Sequence, residues 1–314
     1  MKYLISRILQ VIPVLIIATI IVFTAIRLAP GDPALIKLGP RGGNDPAAVA
    51  KVRQQMGLDK PMVVQYFYWV KDIAKGDFGV SLMNDISALK IVKSRIPASF
   101  ELILIAIILS TLISAILGVV SGVKNDTLID KTISSISTGL ISIPAFWFAL
   151  LLITVFAIKL RVLPASGYVP FFENPLQNIR MILMPAISLT FVEIGVFTRF
   201  IRGGIIDVMG SNYIRTARAK GVKNIRIYIV HAFKNILVTV VTVIGLETGA
   251  LIGGTLIVEQ IFGWSGIGWL LLKSILNRDY AIVQCIVFLV VVFYVFVNLI
   301  IDIIYIVIDP RVKF

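Results

Sequence analysis

Long apolar stretches recur along the chain at the length needed to cross a membrane. At a rise of about 1.5 Å per residue, about 20 apolar residues cross the hydrocarbon core of a bilayer as an α-helix. Six windows approach or exceed this length, and they contain no charged residue except one acid each in the last three. The windows are 8–26, 102–123, 132–158, 181–198, 235–258 and 280–308. The pattern predicts an all-α integral membrane protein with six transmembrane helices.

Basic residues are distributed unequally between the two sides of this predicted membrane domain. Six spans place both termini on one side, whose short segments contain fourteen Lys and Arg, against five in the short loops 159–180 and 259–279 of the other side. Because cytoplasmic loops are enriched in Lys and Arg, we expect both termini to be cytoplasmic. The first window is longer than the apolar core of a typical signal peptide, and we see no cleavage site before Pro30. We therefore interpret it as an uncleaved anchor.

The composition excludes an ordinary soluble enzyme. Of the 314 residues, 58% are hydrophobic and 15% are charged, whereas a soluble domain has about half and about a quarter. The formal net charge of +13 would raise the question of nucleic-acid binding in a soluble protein. Most of the basicity here is an orientation signal, so we expect no nucleic-acid partner. Cys285 is the only cysteine, so we expect neither an intrachain disulfide nor a cysteine metal cluster.

Residues 28–98 form the longest segment outside the predicted membrane helices, and they contain helix signals of their own. A first helix is marked by an N-cap, a proline at the first helical position and a closing glycine: Asp45, Pro46 and Gly57. A second helix is bounded by Pro61 and Gly76, and its apolar and aromatic members share one face: Val64, Phe67 and Tyr68. We predict a small helical extracytoplasmic subdomain. It is either a lid packed on the membrane helices or a docking surface for a protein that delivers substrate.

The segment 199–234 is the one large predicted cytoplasmic loop, with eight basic residues and one acidic residue, Asp207. From Tyr213 to Gly221 it contains strong helix formers and ends at glycine, which predicts a short helix with a glycine C-cap. Asn224 is then placed to cap a second helix leading into the fifth span. This helix-turn-helix is either a surface for a partner or a basic loop held at anionic lipid headgroups.

Several short motifs occur in a fixed order around the six spans. They are LAPGDPA (28–34), GDFGVSL (76–82), IPASFEL (96–102), IPAFWFALLL (143–152), NYIRTARAKGV (212–222), HAFKN (231–235), IVEQIFGWSGIGWLL (257–271) and NRDY (277–280). In this order and spacing they resemble the membrane permease subunits of bacterial ABC importers for dipeptides, oligopeptides and nickel, of the first-permease type. The resemblance covers essentially the whole chain, and its specificity comes from the set rather than from any one motif.

The resemblance implies the type I ABC importer permease fold in a bacterial cytoplasmic (inner) membrane. It divides the chain into 1–27 with the first transmembrane helix, the extracytoplasmic subdomain 28–100 and the five-helix permease core 101–314. It also implies a second homologous permease subunit, two cytoplasmic ATPase subunits and an extracytoplasmic substrate-binding protein. The solute stays open among dipeptide, longer peptide, nickel chelate and metallophore, and we favour peptides.

Nucleotide chemistry is not expected in this chain. A P-loop requires Gly-Lys followed by Ser or Thr, and no Gly-Lys dipeptide occurs in the sequence. We therefore expect a transport subunit that is not an enzyme and has no catalytic residue, metal or cofactor of its own. The ATPase subunits would bind ATP and Mg.

By resemblance, the short helix of the cytoplasmic loop is the coupling helix that sits in a cleft of an ATPase subunit. The residues assigned to coupling are Tyr213, Arg215, Thr216, Ala217, Arg218, Ala219 and Gly221. The wider superfamily has a Glu-Ala-Ala pattern where this chain has Arg215, Thr216 and Ala217, and a later proline where it has Lys234. This chain therefore lacks any contact that depends on that glutamate, and the helix-turn-helix is still expected.

Charged residues inside predicted membrane helices are functional candidates because an ionised side chain in lipid is costly. Glu247 lies among glycines spaced by four, which let a neighbouring helix approach closely: Gly245, Gly249 and Gly253. We assign these residues, with Glu259 of the matched motif, to the permease interface or the translocation pathway. The alternative for Glu247 is a structural glutamate within its own bundle.

An ion-coupled secondary carrier is the alternative class of protein, and it would give the acidic residues of the membrane helices a different role. Glu193 and Asp302 are expected nearer their helix ends, where snorkelling or structural pairing is expected. In an ion-coupled secondary carrier, these two residues and Glu247 would instead act as proton or cation relays.

Prolines and tryptophans add structural expectations. Pro144 and Pro185 are expected to kink or end helices, because proline lacks a backbone N–H. Trp264 and Trp269 fit an interfacial aromatic belt or the outer mouth of the path.

Overall fold

The computed structural model describes residues 2–28, 31–42 and 44–308. These residues contain no β-strand, only one isolated bridge between Val80 and Ser87. The predicted all-α class is confirmed. Pro30 of the LAPGDPA motif and the basic residues Arg311 and Lys313 of the predicted cytoplasmic C-terminus lie outside the described residues.

The helices before residue 124 are α1 (Lys2–Leu28), α2 (Pro33–Gly42), α3 (Pro46–Gln55), α4 (Met62–Ala74), α5 (Ala88–Lys93) and α6 (Ile96–Val123). Those that follow are α7 (Leu128–Ser142), α8 (Ala145–Leu152), α9 (Pro175–Met209), α10 (Asn212–Ala219), α11 (Asn224–Arg226), α12 (Lys234–Ile261), α13 (Ile267–Leu276) and α14 (Tyr280–Ile308). Two π-helical segments extend this set: Ile153–Lys159 continues α8, and Ile227–Phe233 joins α11 to α12.

Five helical segments of the described chain are long and apolar enough to cross a membrane. They are Gln10–Leu28, Ala88–Val123, Pro175–Met209, Asn224–Ile261 and Tyr280–Tyr305. The remaining predicted window, 132–158, corresponds to two helices, Leu128–Ser142 and Ala145–Lys159, which meet at an angle of 93°. The described residues contain six spans if this bent pair is counted as one. The break lies at Pro144, as expected for a proline, whereas α9 continues through Pro185.

The chain divides into two compact units that interleave along the sequence. The first unit is Met1–Pro97 with Gly266–Val295, and the second is Ala98–Ser265 with Phe296–Phe314. The domain boundaries implied by the resemblance stay a prediction.

In the first unit, α4 packs on α1 through aromatic side chains. The ring of Phe23, 2% exposed, lies 5.5 Å from the ring of Tyr66 and 5.6 Å from that of Trp69. The hydroxyls of Thr19 and Tyr66 are hydrogen-bonded at 3.0 Å. A different face of α4, with Val64, Phe67 and Tyr68, is exposed.

The predicted end signals of α3 and α4 are confirmed. Asp45 accepts a hydrogen bond from the backbone N–H of Ala47 at the start of α3. Gly57 and Gly76 have φ angles of +65° and +82°, the left-handed region in which a side chain is penalised. Pro61 stands directly before α4.

A loop and the last helix complete the core of the first unit. Ser81 donates a hydrogen bond to the Asp279 carboxylate, which also accepts one from the N–H of Leu82 at 3.3 Å. An apolar cluster also joins the loop, α5, α13 and α14. Among its members are Phe78, Val92, Leu270, Ile282 and Ile286. Motifs from distant parts of the sequence therefore meet in one core.

The second unit is organised around α9, which packs against α7, α8 and α12. It also touches α6 at two glycines. A Cβ added to Gly118 would lie 2.6 Å from the Cβ of Ile201, and one added to Gly122 would lie 2.7 Å from that of Ile205. Because such distances are shorter than real contacts, these two positions require glycine.

An ion pair with a buried carboxylate joins the first turn of α7 to α9. Arg202 donates to both carboxylate oxygens of Asp130, at 2.6 and 2.8 Å. The same carboxylate accepts from the Ser121 hydroxyl at 2.5 Å and from the backbone N–H of Asp126 at 2.9 Å. The Asp130 side chain is 2% exposed, so its charge depends on these donors.

Asp130→Asn should destabilise the protein markedly. The substitution keeps the size of the side chain but leaves Arg202 without its partner, which costs about 3 kcal/mol in such a pair. Asp85→Asn is the matched control, because Asp85 is 75% exposed and lies 3.7 Å from Lys37; we expect a loss below about 1 kcal/mol. The measurement is the free energy of unfolding of both variants in the same detergent. Equal losses would contradict the structural role of the Asp130 pair.

Candidate functional site

The short helix α10 stands between the long helices α9 and α12 in the chain, and its C-terminus has a defined hydrogen-bonded cap. Gly221 has φ +75° and donates to the carbonyl of Arg218 at 2.9 Å. Val222 donates to the carbonyl of Ala217 at 3.1 Å. This pair of bonds is the Schellman motif. The predicted helix and its glycine C-cap are confirmed.

Most of the residues assigned to coupling are exposed on this chain: Tyr213, Arg215, Thr216, Arg218, Ala219 and Gly221. Ala217 is half-buried, and Ile214 is fully buried at 0%. Ile214 therefore anchors α10, which contacts the π-helical segment Ile227–Phe233. We did not predict this anchor, although it is the one large aliphatic residue among the polar and basic residues of the helix.

The segment after α10 differs in detail from the expectation. The next helix starts at Asn224, with Lys223 in the N-cap position and no side-chain cap. The prediction that Asn224 caps this helix is wrong. A π-helical segment follows before α12, a feature that often occurs at functional sites.

Two carboxyl groups lie on neighbouring helices of the second unit. Glu193, 5% exposed, and the half-buried Glu247 lie on the packed helices α9 and α12. The Glu193 Oε2 atom has no hydrogen-bond partner among the described residues. The expectation that Glu193 lies near a helix end is wrong, because α9 extends well beyond the apolar window on both sides. Asp302 lies close to the C-terminal end of α14 and is half-buried.

The three glycines of α12 have different environments. A Cβ on Gly245 would lie 2.2 Å from Cδ1 of Ile301, so this glycine packs against the chain's own last helix. Gly249 is half-buried. A Cβ on Gly253 would meet no atom within 4 Å. Of Gly245 and Gly253, only Gly253 leaves space for another helix.

Glu259 and Trp264 are buried together at the start of α6. Both are 0% exposed. Glu259 accepts a hydrogen bond from Ser99 at 2.5 Å, and the Trp264 indole N–H donates to the carbonyl of Ala98 at 2.9 Å. The expectation that Trp264 lies in an interfacial belt is wrong, and the role assigned to Glu259 stays a prediction.

Trp269 has a different environment from Trp264. It is half-buried, with the Lys273 ammonium 4.8 Å and the Arg95 guanidinium 5.8 Å from its ring.

Among the described residues, no group of three or more His, Cys, Asp or Glu is placed to hold a metal ion.

The helical arrangement of this chain has a counterpart among solved structures. The inward-facing MetNI methionine ABC transporter matches 68% of this chain and 94% of its own chain, with a TM-score of 0.52 and 16% identity. This likeness defines the fold as that of an ABC transporter membrane subunit.

The sequence comparisons identify the family. Residues 114–314 match the family described as "Binding-protein-dependent transport system inner membrane component", and residues 1–103 match the N-terminal family of such membrane components. The chain belongs to this family of inner membrane components. The resemblance to permease subunits of peptide-type ABC importers is confirmed.

Two relatives cover almost the whole chain. A Brucella abortus protein (strain 2308), named as a permease of a peptide transport system, is 37% identical over 311 residues, which are 99% of this chain and 98% of that protein. The dipeptide transport system permease protein of Escherichia coli K12 is 34% identical over 336 residues, with 100% and 99% covered.

Gly221→Val should loosen the end of α10 without creating a clash. No atom lies within 4 Å of an added Cβ, so the cost is the positive φ, about 1 to 2 kcal/mol. Hydrogen exchange of the Gly221-position and Val222 amides should accelerate roughly 5- to 30-fold. Gly221→Asn is the control, since asparagine tolerates this conformation better, and it should accelerate exchange less. Equal exchange in wild type and Gly221→Val would contradict the capping role.

Proposed function

We propose that the chain is one of two permease subunits of an ATP-driven importer. It forms half of the translocation pathway for peptides or peptide-like solutes that an extracytoplasmic binding protein delivers. The observation that carries the proposal is α10, a basic and mostly exposed helix that Ile214 anchors and Gly221 ends. Relatives named as permeases of peptide and dipeptide systems support the solute class.

The ATPase contact would be made by the exposed residues of α10. In this proposal both termini and α10 are cytoplasmic, and two separate ATPase subunits bind ATP and Mg. The small side chain of Ala219 is exposed, so it sets how closely a partner can approach. The basic residues Arg215 and Arg218 lie on the same short helix.

The contact with the second permease would involve α12. The open space at Gly253 supports a neighbouring helix at that position. Glu247 and Gly249, both half-buried in this chain, lie on the same helix. Gly245 fits a different role, because Ile301 already occupies the space beside it.

The outer subdomain would receive the binding protein. A lid interpretation needs α4 to cover its apolar surface, but Phe67 is 66% exposed and Tyr68 is 51% exposed. The Tyr66 and Trp69 rings already make the contact of α4 with α1. The exposed face supports docking rather than a lid.

Ala219→Trp should impair ATP-driven uptake and reduce co-purification of the ATPase at least tenfold, because a bulky side chain would hold the two subunits apart. Ala219 suits this test better than half-buried Ala217, where a tryptophan would also disturb packing within this chain. Ala165→Trp, at an exposed alanine in the loop between α8 and α9, is the matched control and should leave both measurements unchanged.

The lipid-anchor alternative for α10 makes the opposite prediction. If the helix rests on anionic headgroups, Arg215→Gln with Arg218→Gln should impair uptake while Ala219→Trp should not. That pattern, measured in parallel in the same vesicles, would refute the coupling assignment.

Glu193→Gln and Glu247→Gln test the carrier alternative. The purified chain alone in liposomes should show no solute uptake driven by a pH or sodium gradient, with or without these substitutions. Gradient-driven uptake that disappears in either variant would establish an ion-coupled carrier and overturn the ABC proposal.

A further inference from the structure

Two cations share one indole ring in the first unit. The Lys273 ammonium of α13 lies 4.8 Å from the centre of the Trp269 ring, and the guanidinium of Arg95, directly before α6, lies 5.8 Å from it. Contacts of this length are attractive, because the face of an indole ring is electrostatically negative. The two cations still repel each other, so an anion beside them would stabilise the arrangement.

The two segments that form this arrangement contain no acidic residue. Segments 87–97 and 266–276 contain four basic residues: Lys90, Lys93, Arg95 and Lys273. Among the described residues, neither Arg95 nor Lys273 belongs to an ion pair. The three lysines are exposed and Arg95 is half-buried. This surface therefore carries positive charge that a ligand can neutralise.

The acids that flank the two segments within the first unit are engaged elsewhere. Asp279, after α13, is 2% exposed and accepts hydrogen bonds from Ser81 and Leu82. Asp85, before α5, lies 3.7 Å from the ammonium of Lys37. Neither carboxylate forms an ion pair with the basic residues of the two segments.

Both segments lead into membrane-spanning helices. Arg95 belongs to the candidate span Ala88–Val123, and α13 precedes the candidate span Tyr280–Tyr305. In the sequence, Arg95 and Lys273 each stand seven positions before an apolar window, 102–123 and 280–308 respectively. These cations and Trp269 are therefore expected at the level of the lipid headgroups, where Trp, Lys and Arg anchor membrane helices.

The face of α13 that contains Trp269 and Lys273 is also apolar. Leu276 stands seven positions after Trp269 and three after Lys273, so the three side chains share one face of the helix. Leu276 is 74% exposed, and the neighbouring Ile275 is exposed as well. Cations beside exposed aliphatic groups fit a ligand that has both an anionic group and acyl chains. A free phosphate or a soluble acidic protein would leave the aliphatic groups unused.

We propose that Arg95, Trp269 and Lys273 form a binding site for the phosphate group of an anionic phospholipid. Arg95 donates hydrogen bonds to the phosphate oxygens, and Lys273 adds electrostatic attraction. Trp269 positions both cations, while the acyl chains lie against exposed aliphatic side chains such as Leu276. The site lies on this chain alone, so it does not rest on the transport role proposed above.

The test is the Kd of the tightest-bound phosphatidylglycerol, measured by native mass spectrometry during titration of the purified full chain in detergent. We expect Arg95→Gln to raise this Kd at least tenfold, because hydrogen bonds between two charged groups are lost. Arg95→Lys keeps the charge and should recover part of the affinity. Lys273→Gln should raise the Kd about fivefold through the loss of one nearby charge. Because Lys273 is exposed, its substitution tests the site without disturbing the core.

Matched controls separate this site from general effects of charge and of lipid. Lys51→Gln removes the same charge from an exposed position on α3 and should leave the Kd unchanged. Phosphatidylcholine with the same acyl chains has no net charge and should bind at least tenfold more weakly. Inorganic phosphate lacks acyl chains and should not displace the lipid at an equal concentration.

Four results would overturn the proposal. Equal affinity for the two lipids would mean that the aliphatic surface alone binds lipid. A Kd that neither Arg95→Gln nor Lys273→Gln changes would place the lipid elsewhere, and an equal effect of Lys51→Gln would mean that only overall charge matters. Displacement by inorganic phosphate would indicate a site for the free anion. The titration needs neither ATPase nor binding protein, so a failure of the proposed function would leave its result intact.

Discussion

The buried pair of Asp130 and Arg202 is the contact on which the second unit depends. A carboxylate that is 2% exposed is tolerated because a bidentate guanidinium, a hydroxyl and a backbone N–H surround it. The pair fixes the first turn of α7 against the helix α9, which also packs on α8 and α12. α10 begins three residues after α9 ends, so the position of the candidate coupling helix depends on this ion pair.

Local signals predicted the helices and their ends, because they act within a few residues. An aspartate accepting from an N–H two residues on, as at Asp45, and a glycine with positive φ, as at Gly57 and Gly221, need no information about the rest of the fold. The apolar windows are likewise readable from the sequence, because a helix that crosses a membrane needs about 20 consecutive apolar residues. The end of a window, however, marks the nearest charge and not the end of the helix, and this is why Glu193 was misplaced.

Contacts between residues far apart along the chain could not be predicted from a single sequence. Asp130 and Arg202 are 72 positions apart, and Ser99 and Glu259 are 160 apart. Trp264 was expected in an interfacial aromatic belt or at the outer mouth of the path, but it is buried against α6. For the candidate site, the sequence predicted the helix α10 and most of its exposed residues, but not its anchor Ile214. The sequence analysis also treated the glycines of α12 as one set with one role. The structure shows that Gly245 and Gly253 have different neighbours.

The π-helical segment Ile227–Phe233 has a consequence for angular register. Each residue of an α-helix advances by about 100°, and a turn closed by i to i+5 bonds holds about one residue more. Side chains of α12 are therefore rotated relative to those of α11 by an angle that an uninterrupted α-helix would not have. The face that α12 presents within the membrane is thus set by the number of residues in this segment. A one-residue deletion there would turn Glu247 and Gly253 away from their present directions relative to α11.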